Sequence, residues 1–82
     1  MADEPYGARL RRLREARGMS HAELAEACAS IGRRTGRSPS ARYKESASYP
    51  RLPTFAALAW VLGVSMETLW YGEEEAERLA WE

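Results

Sequence analysis

Residues 38–69 read SPSARYKESASYPRLPTFAALAWVLGVSMETL, and this stretch decides the fold class. Ser38 followed by Pro39 is typical of a helix start, because Ser caps the free backbone N–H groups and Pro at the first helical position loses no hydrogen bond. An amphipathic helix is predicted further on, with apolar positions at Phe55, Leu58, Ala59 and Leu62. Gly63 predicts the end of that helix, and Ser65 caps another. The stretch therefore predicts three short helices.

Two more helices are predicted upstream. The first spans about 6–17, with one apolar face formed by Tyr6, Leu10 and Leu13. The second spans about 20–34 and opens with a capping box, in which Ser20 and Glu23 satisfy each other's backbone N–H groups. Gly36 ends it. Five short helices without a strand predict an all-α fold, a compact five-helix bundle.

Length and composition limit the possible functions. The chain has 82 residues, of which 45% are apolar, and this suits one small globular domain. Its single cysteine, Cys28, excludes an intramolecular disulfide and is expected to be a buried small hydrophobe. The longest apolar run, residues 55–62, is far shorter than the ~20 residues that cross a bilayer. The N-terminus lacks a signal-peptide pattern, so a soluble, cytoplasmic protein is expected, associated with the nucleoid if it binds DNA.

The zero net charge hides a division along the chain. Residues 9–51 hold eleven Arg and Lys against four acids, which gives +7. The remaining residues hold one Arg against eight acids, which gives −7. Arg9, Arg11, Arg12 and Arg14 are expected to form a solvated helix face with salt bridges, whereas the five cations within 33–44 favour nucleic-acid binding.

Both flanks of the chain resemble one family. RLRRLREARGMS at residues 9–20 and LPTFAALAWVLGVSMETLWYGE at residues 52–73 are similar to the Xre or phage Cro/CI repressor family of helix-turn-helix proteins. The resemblance covers residues 6–72. The chain differs from usual family members in having a longer connection from the second to the third helix. It also has Ala29 where the family usually has Gly, and His21 where the family usually has Gln. The resemblance implies a lambda-repressor-like helix-turn-helix domain over residues 1–72, followed by an acidic tail or helix extension over 73–82.

The resemblance implies that the third helix, at about 38–46, lies in the major groove of DNA. If Tyr43 is its buried aromatic residue, positions 37, 38, 41, 42 and 45 point outward. The residues expected to read bases are Arg37, Ser38, Ala41 and Arg42. The residues expected to contact the DNA backbone are His21, Arg33, Arg34, Lys44 and Arg51. Ser40 is the alternative N-cap, but it would turn Lys44 inward at a high desolvation cost.

The leading interpretation is a sequence-specific transcriptional regulator that binds double-stranded DNA as a homodimer on a palindromic operator. The alternative is a helix-turn-helix module that binds RNA polymerase or another protein. Trp60, Trp70 and Trp81 are expected to pack in the core or at its edge. A dimer contact is the other interpretation for Trp70 and Tyr71, and Leu79 belongs to the same candidate interface.

The acidic tail is expected either to pack on the second subunit or to shield the core. No nucleophile with a matching base, no metal-ligand spacing and no cofactor motif is found in the sequence. The sequence therefore predicts a protein that is not an enzyme and that needs no cofactor or metal.

Overall fold

The computed structural model describes residues 4–36 and 51–81. Over these two ranges the chain is α-helical and contains no strand. The helices are α1 (Tyr6–Ala16), α2 (His21–Thr35), α3 (Leu52–Leu62), α4 (Met66–Tyr71) and α5 (Glu73–Ala80). The all-α prediction is confirmed for this part of the chain. The predicted helix at about 38–46 lies outside the described residues.

The N-terminus of α2 has the predicted capping box. The Ser20 hydroxyl accepts from the Glu23 backbone N–H at 3.1 Å, and the Glu23 carboxylate accepts from the Ser20 backbone N–H at 2.8 Å. Two N–H groups that the helix itself cannot satisfy are thus paired locally. The helix ends at Gly36, as the sequence predicted.

A single apolar core joins the helices. Its buried members are Tyr6, Leu10, Leu24, Cys28, Phe55, Ala57, Leu58, Ala59, Leu62 and Leu69. The predicted inner faces of α1 and α3 are therefore confirmed, with Leu13 partly buried, as is the predicted burial of Cys28. Cys28 is fully buried among apolar neighbours, and this burial raises the pKa of its thiol to about 11. The thiol is thus protonated at neutral pH, as expected for a small core residue.

The short helix α4 holds much of the fold together. It packs against α1, α3 and α5, while α2 packs against α3. Leu69 on α4 is fully buried, and Trp70 places its ring edge-on to Phe55 with centroids 5.6 Å apart. The acidic segment after residue 72 forms a helix of its own, α5, which Gly72 separates from α4.

Two of the three tryptophans do not pack as predicted. Trp60 is 75% exposed and Trp81 is 85% exposed. Trp60 lies two positions from both Leu58 and Leu62, which is about 200° around a helix, so an inward Leu places it outward. Trp70 does pack at the edge of the core.

The prediction of a solvated arginine face on α1 is wrong for Arg9. This residue is only 5% exposed, because its guanidinium turns toward the end of α4. Sequence spacing around α1 cannot reveal this contact, since the acceptors lie sixty positions away along the chain.

Candidate nucleic-acid interface

Four of the nine predicted DNA-contacting residues lie in the described part of the chain. They are His21, Arg33, Arg34 and Arg51, and all four side chains are exposed. The other five, Arg37, Ser38, Ala41, Arg42 and Lys44, lie outside it. The described geometry therefore concerns these four residues.

Arg33 and Arg34 occupy the last turn of α2, where cations interact favourably with the negative end of the helix dipole. Arg33 follows Ile31 by two positions and so points away from the core. Its guanidinium donates to the Glu26 carboxylate at 2.8 Å, in a pair whose two members are both mostly solvent-exposed. Such a pair contributes only about 0–1 kcal/mol in water, so a phosphate can displace it easily.

Arg51 stands at the N-cap of α3. Its backbone carbonyl accepts from the Phe55 N–H at 2.9 Å, but its side chain makes no capping hydrogen bond. The guanidinium is exposed and makes no hydrogen bond or ion pair with the described residues. We call Arg33, Arg34 and Arg51 the basic edge, because they flank residues 37–50 on both sides in the sequence.

His21 lies at the opposite end of α2 from the basic edge. Twelve residues of α-helix separate it from Arg33, which corresponds to about 18 Å along the axis. The ionised Glu23 carboxylate occupies the same helix end, and its hydrogen bonds to Ser20 hold its pKa below the usual value. A phosphate near His21 would meet this negative charge.

The arginines of α1 have internal partners that the sequence did not reveal. Arg9 donates to the Leu69 carbonyl at 3.1 Å, to the Trp70 carbonyl at 2.9 Å and to the Glu4 carbonyl at 3.0 Å. The first two acceptors belong to the last turn of α4, so the guanidinium caps that helix end. A methyl group built on Gly72 would lie 3.3 Å from the Arg9 guanidinium, which is a tight contact, and Gly72 also has a φ of +96° that residues with side chains rarely adopt.

Three more arginines of this region are similarly engaged. Arg14 donates to the Met19 carbonyl at 2.6 Å, and Arg17 donates to the Val61 carbonyl at 3.2 Å. Arg12 joins two carboxylates, those of Glu4 and Glu73, each at 2.8–3.0 Å. These hydrogen bonds hold the pKa of Glu73 at about 2, well below its usual value. Most arginines of this region are thus paired with carbonyl or carboxylate acceptors inside the molecule.

No family model, curated protein or solved structure matches the chain. The geometry of its own residues is therefore the basis for any functional proposal.

The three residues predicted at a dimer interface do not line one surface groove. Trp70 and Tyr71 line a groove between the N-terminal segment, α4 and α5, whereas Leu79 lines a second groove between α4 and α5. Each of the three is about half exposed.

Residues 4–36 and 51–81 lack two other kinds of feature. No cluster of His, Cys, Asp or Glu with the arrangement of a metal site occurs in these ranges. No helix found there is long and apolar enough to span a membrane.

Proposed function

We propose that the chain is a sequence-specific DNA-binding transcriptional regulator. In this proposal a short recognition helix at about 38–46 docks in the major groove, and two copies bind a palindromic operator. Arg37, Ser38, Ala41 and Arg42 face the bases, and the basic edge and Lys44 face the phosphates.

The observation that supports this proposal best is that the arginines near α1 have partners inside the protein, whereas those of the basic edge are exposed to solvent. Arg9, Arg14 and Arg17 donate to backbone carbonyls, and Arg12 is shared between two carboxylates. At the basic edge, by contrast, Arg34 and Arg51 have no ion pair within the described residues, and Arg33 has only an exposed one. Among the described residues, the positive charge available to a polyanion therefore belongs to the residues that flank positions 37–50 in the sequence.

The sequence of the bordered segment adds to this charge. Residues 33–51 hold six Arg and Lys and one Glu, a net charge of +5. The acidic helix α5 is tied to α1 through Arg12 and Glu73. Neutralising phosphates with such a surface releases counterions, which gives affinity that falls steeply as salt is added.

The first test is a salt titration of binding to random duplex DNA. We expect micromolar binding at low salt that weakens linearly on a log–log plot, as for other nonspecific DNA binding. Arg51→Ala should weaken all sequences about equally and lower the slope by about one, because one phosphate is no longer neutralised. Arg78→Ala is the matched control, since Arg78 is exposed but pairs with Glu75 on α5.

The second test selects bound sequences from a random DNA pool. A two-fold symmetric motif is the expected result, and the Arg37→Ala/Arg42→Ala double variant should lose base preference at the positions these residues read, by about 1–3 kcal/mol for each bidentate contact. Absence of binding at low salt would refute the proposal. An unchanged motif in the double variant would refute the assignment of the reading helix.

One observation favours the alternative, a protein-interaction module. Trp60, Trp81 and Leu52 are exposed by 75%, 85% and 68%, and large exposed apolar side chains are typical of protein contacts. RNA polymerase or another protein would then be the partner. Retention of a partner together with no DNA affinity at low salt is the result that would favour this function.

A further inference from the structure

The outward face of α3 is apolar along its whole length. Its exposed side chains are Leu52, Pro53, Ala56 and Trp60. Not one charged residue occurs in α3, and its one hydroxyl side chain, that of Thr54, is buried. A helix that is apolar on every side is typical of a helix covered on every side, yet none of the residues in 4–36 and 51–81 covers this face of α3.

We infer that a second copy of this chain covers this face, through an antiparallel contact between the two α3 helices centred on Ala56. Leu52 lies four residues before Ala56, and Trp60 lies four residues after it. Residues four apart lie on nearly the same side of a helix, about 6 Å apart along its axis. The three side chains therefore form a stripe along the helix, in which Leu52 and Trp60 lie at equal distances on either side of Ala56.

A two-fold axis through Ala56 makes this stripe complementary to itself. Each Leu52 meets Trp60 of the other copy, and the two Ala56 residues meet at the crossing point. Because both side chains are small, the helix axes can approach to about 10 Å, within the usual range. A contact in which the same patch serves both subunits is the usual form of a two-fold dimer.

Charge favours α3 over the other candidate surface for self-association. Two copies of the α3 face bring no like charges together. The groove lined by Trp70 and Tyr71 contains five glutamates and three arginines, and the groove lined by Leu79 contains three glutamates and no cation. Both grooves therefore carry net negative charge, and a symmetric contact there would bring like charges together at a cost in free energy.

The available area sets the strength of the contact. A Trp side chain has roughly 150–250 Å² of surface, so Trp60 with Leu52, Pro53 and Ala56 offers on the order of 350 Å² per copy. Stable complexes bury about 800 Å² per partner. The dimer is therefore weak in free solution. If the proposed function holds, two copies bound to adjacent half-sites of a DNA operator are close together. Their high effective concentration then favours this weak contact.

The test is disulfide trapping in the full-length chain without DNA. Two cysteines introduced by Ala56→Cys would face each other at the crossing point, within the ~4.4–6.8 Å Cα separation that a disulfide requires. Ala8→Cys is the matched control, because Ala8 is also an exposed alanine within a helix. Cys28 is fully buried and is present in both variants. We expect the Ala56→Cys variant to cross-link at least about tenfold faster than the control.

A tryptophan comparison then tests the face itself. In the Ala56→Cys background, Trp60→Ala should slow cross-linking about tenfold, since a central Trp often dominates such contacts. Trp81→Ala, which removes an equally exposed Trp outside α3, should leave the rate unchanged. Equal cross-linking at positions 56 and 8, or equal effects of the two Trp variants, would overturn the inference. Because no DNA is present, neither result bears on DNA binding, which the salt titration tests separately.

Discussion

The arginines of α1 and the arginines of the basic edge are the same residue type in the same small molecule, but they have different roles. Arg9 is buried and binds three carbonyl oxygens, while Arg34 and Arg51 extend into solvent. The difference arises from what lies within reach. The last turns of α3 and α4 end beside α1 and present carbonyl groups without helical partners, and such groups accept from guanidinium donors.

This contrast shows that formal charge along a sequence is a poor measure of charge available for binding. Residues 9–17 hold five arginines, more than any other segment of equal length. Four of them donate to acceptors within the protein. Removing an arginine from α1 should therefore damage stability, whereas removing one from the basic edge should damage binding.

The largest expected effect is that of Arg9→Ala on stability. The change leaves the Leu69 and Trp70 carbonyls without their donor in a place where water has little access, and losing charged hydrogen bonds of this kind costs about 3 kcal/mol. Chemical denaturation measures the free energy of unfolding. Arg34→Ala is the control and should change it by no more than about 0.5 kcal/mol. Similar losses in the two variants would contradict the contrast between the two regions.

An intermediate effect is expected for DNA affinity at the basic edge. The Arg33→Ala/Arg34→Ala double variant should lower the slope of log affinity against log salt by about two, one for each phosphate that is no longer neutralised. Arg17→Ala should leave the slope unchanged but destabilise the fold by about 1 kcal/mol, because it removes a donor to the C-terminal turn of α3. Fluorescence anisotropy and denaturation separate the two outcomes. A slope that falls equally in both variants would mean that α1 also faces DNA.

The smallest effect concerns the link between α1 and α5 at low pH. Arg12 lowers the pKa of Glu73 from a usual value near 4.5 to about 2. A carboxyl group whose folded pKa is depressed stabilises the fold above its unfolded pKa, and this contribution is lost as pH falls from about 4.5 toward 2. Both side chains are about half exposed, so the contribution is at most about 1 kcal/mol.

The measurement is the difference in unfolding free energy between the natural chain and the Glu73→Gln variant. It should be largest at about pH 5–7 and shrink toward zero near pH 2, following the titration of one carboxyl group. Glu77→Gln on the same helix is the control, because Glu77 has no ion pair among the described residues. A pH-independent difference would show that the Arg12 link does not depend on the Glu73 charge.

Local features of the chain were predictable from sequence. The start of α2 follows from Ser20 and Glu23, and the inner face of α3 follows from the spacing of Phe55, Leu58 and Leu62. These features depend on neighbours within four residues, whose identities can be read directly from the chain. The exposure of Trp60 follows from the same spacing, but residue type favoured burial and led to the wrong expectation.

The amino-acid order by itself determined where these helices begin and end and which sides are apolar, since capping and helical periodicity act over one turn. Only the tertiary structure decided which arginines pair with acceptors inside the protein and which remain available to bind another molecule. Arg9 and the two α4 carbonyls it binds are about sixty positions apart in sequence and meet because the apolar core brings α1 beside α4. The same packing leaves the large apolar side chains of Leu52 and Trp60 on the outer side of α3 exposed, although their residue types favoured burial.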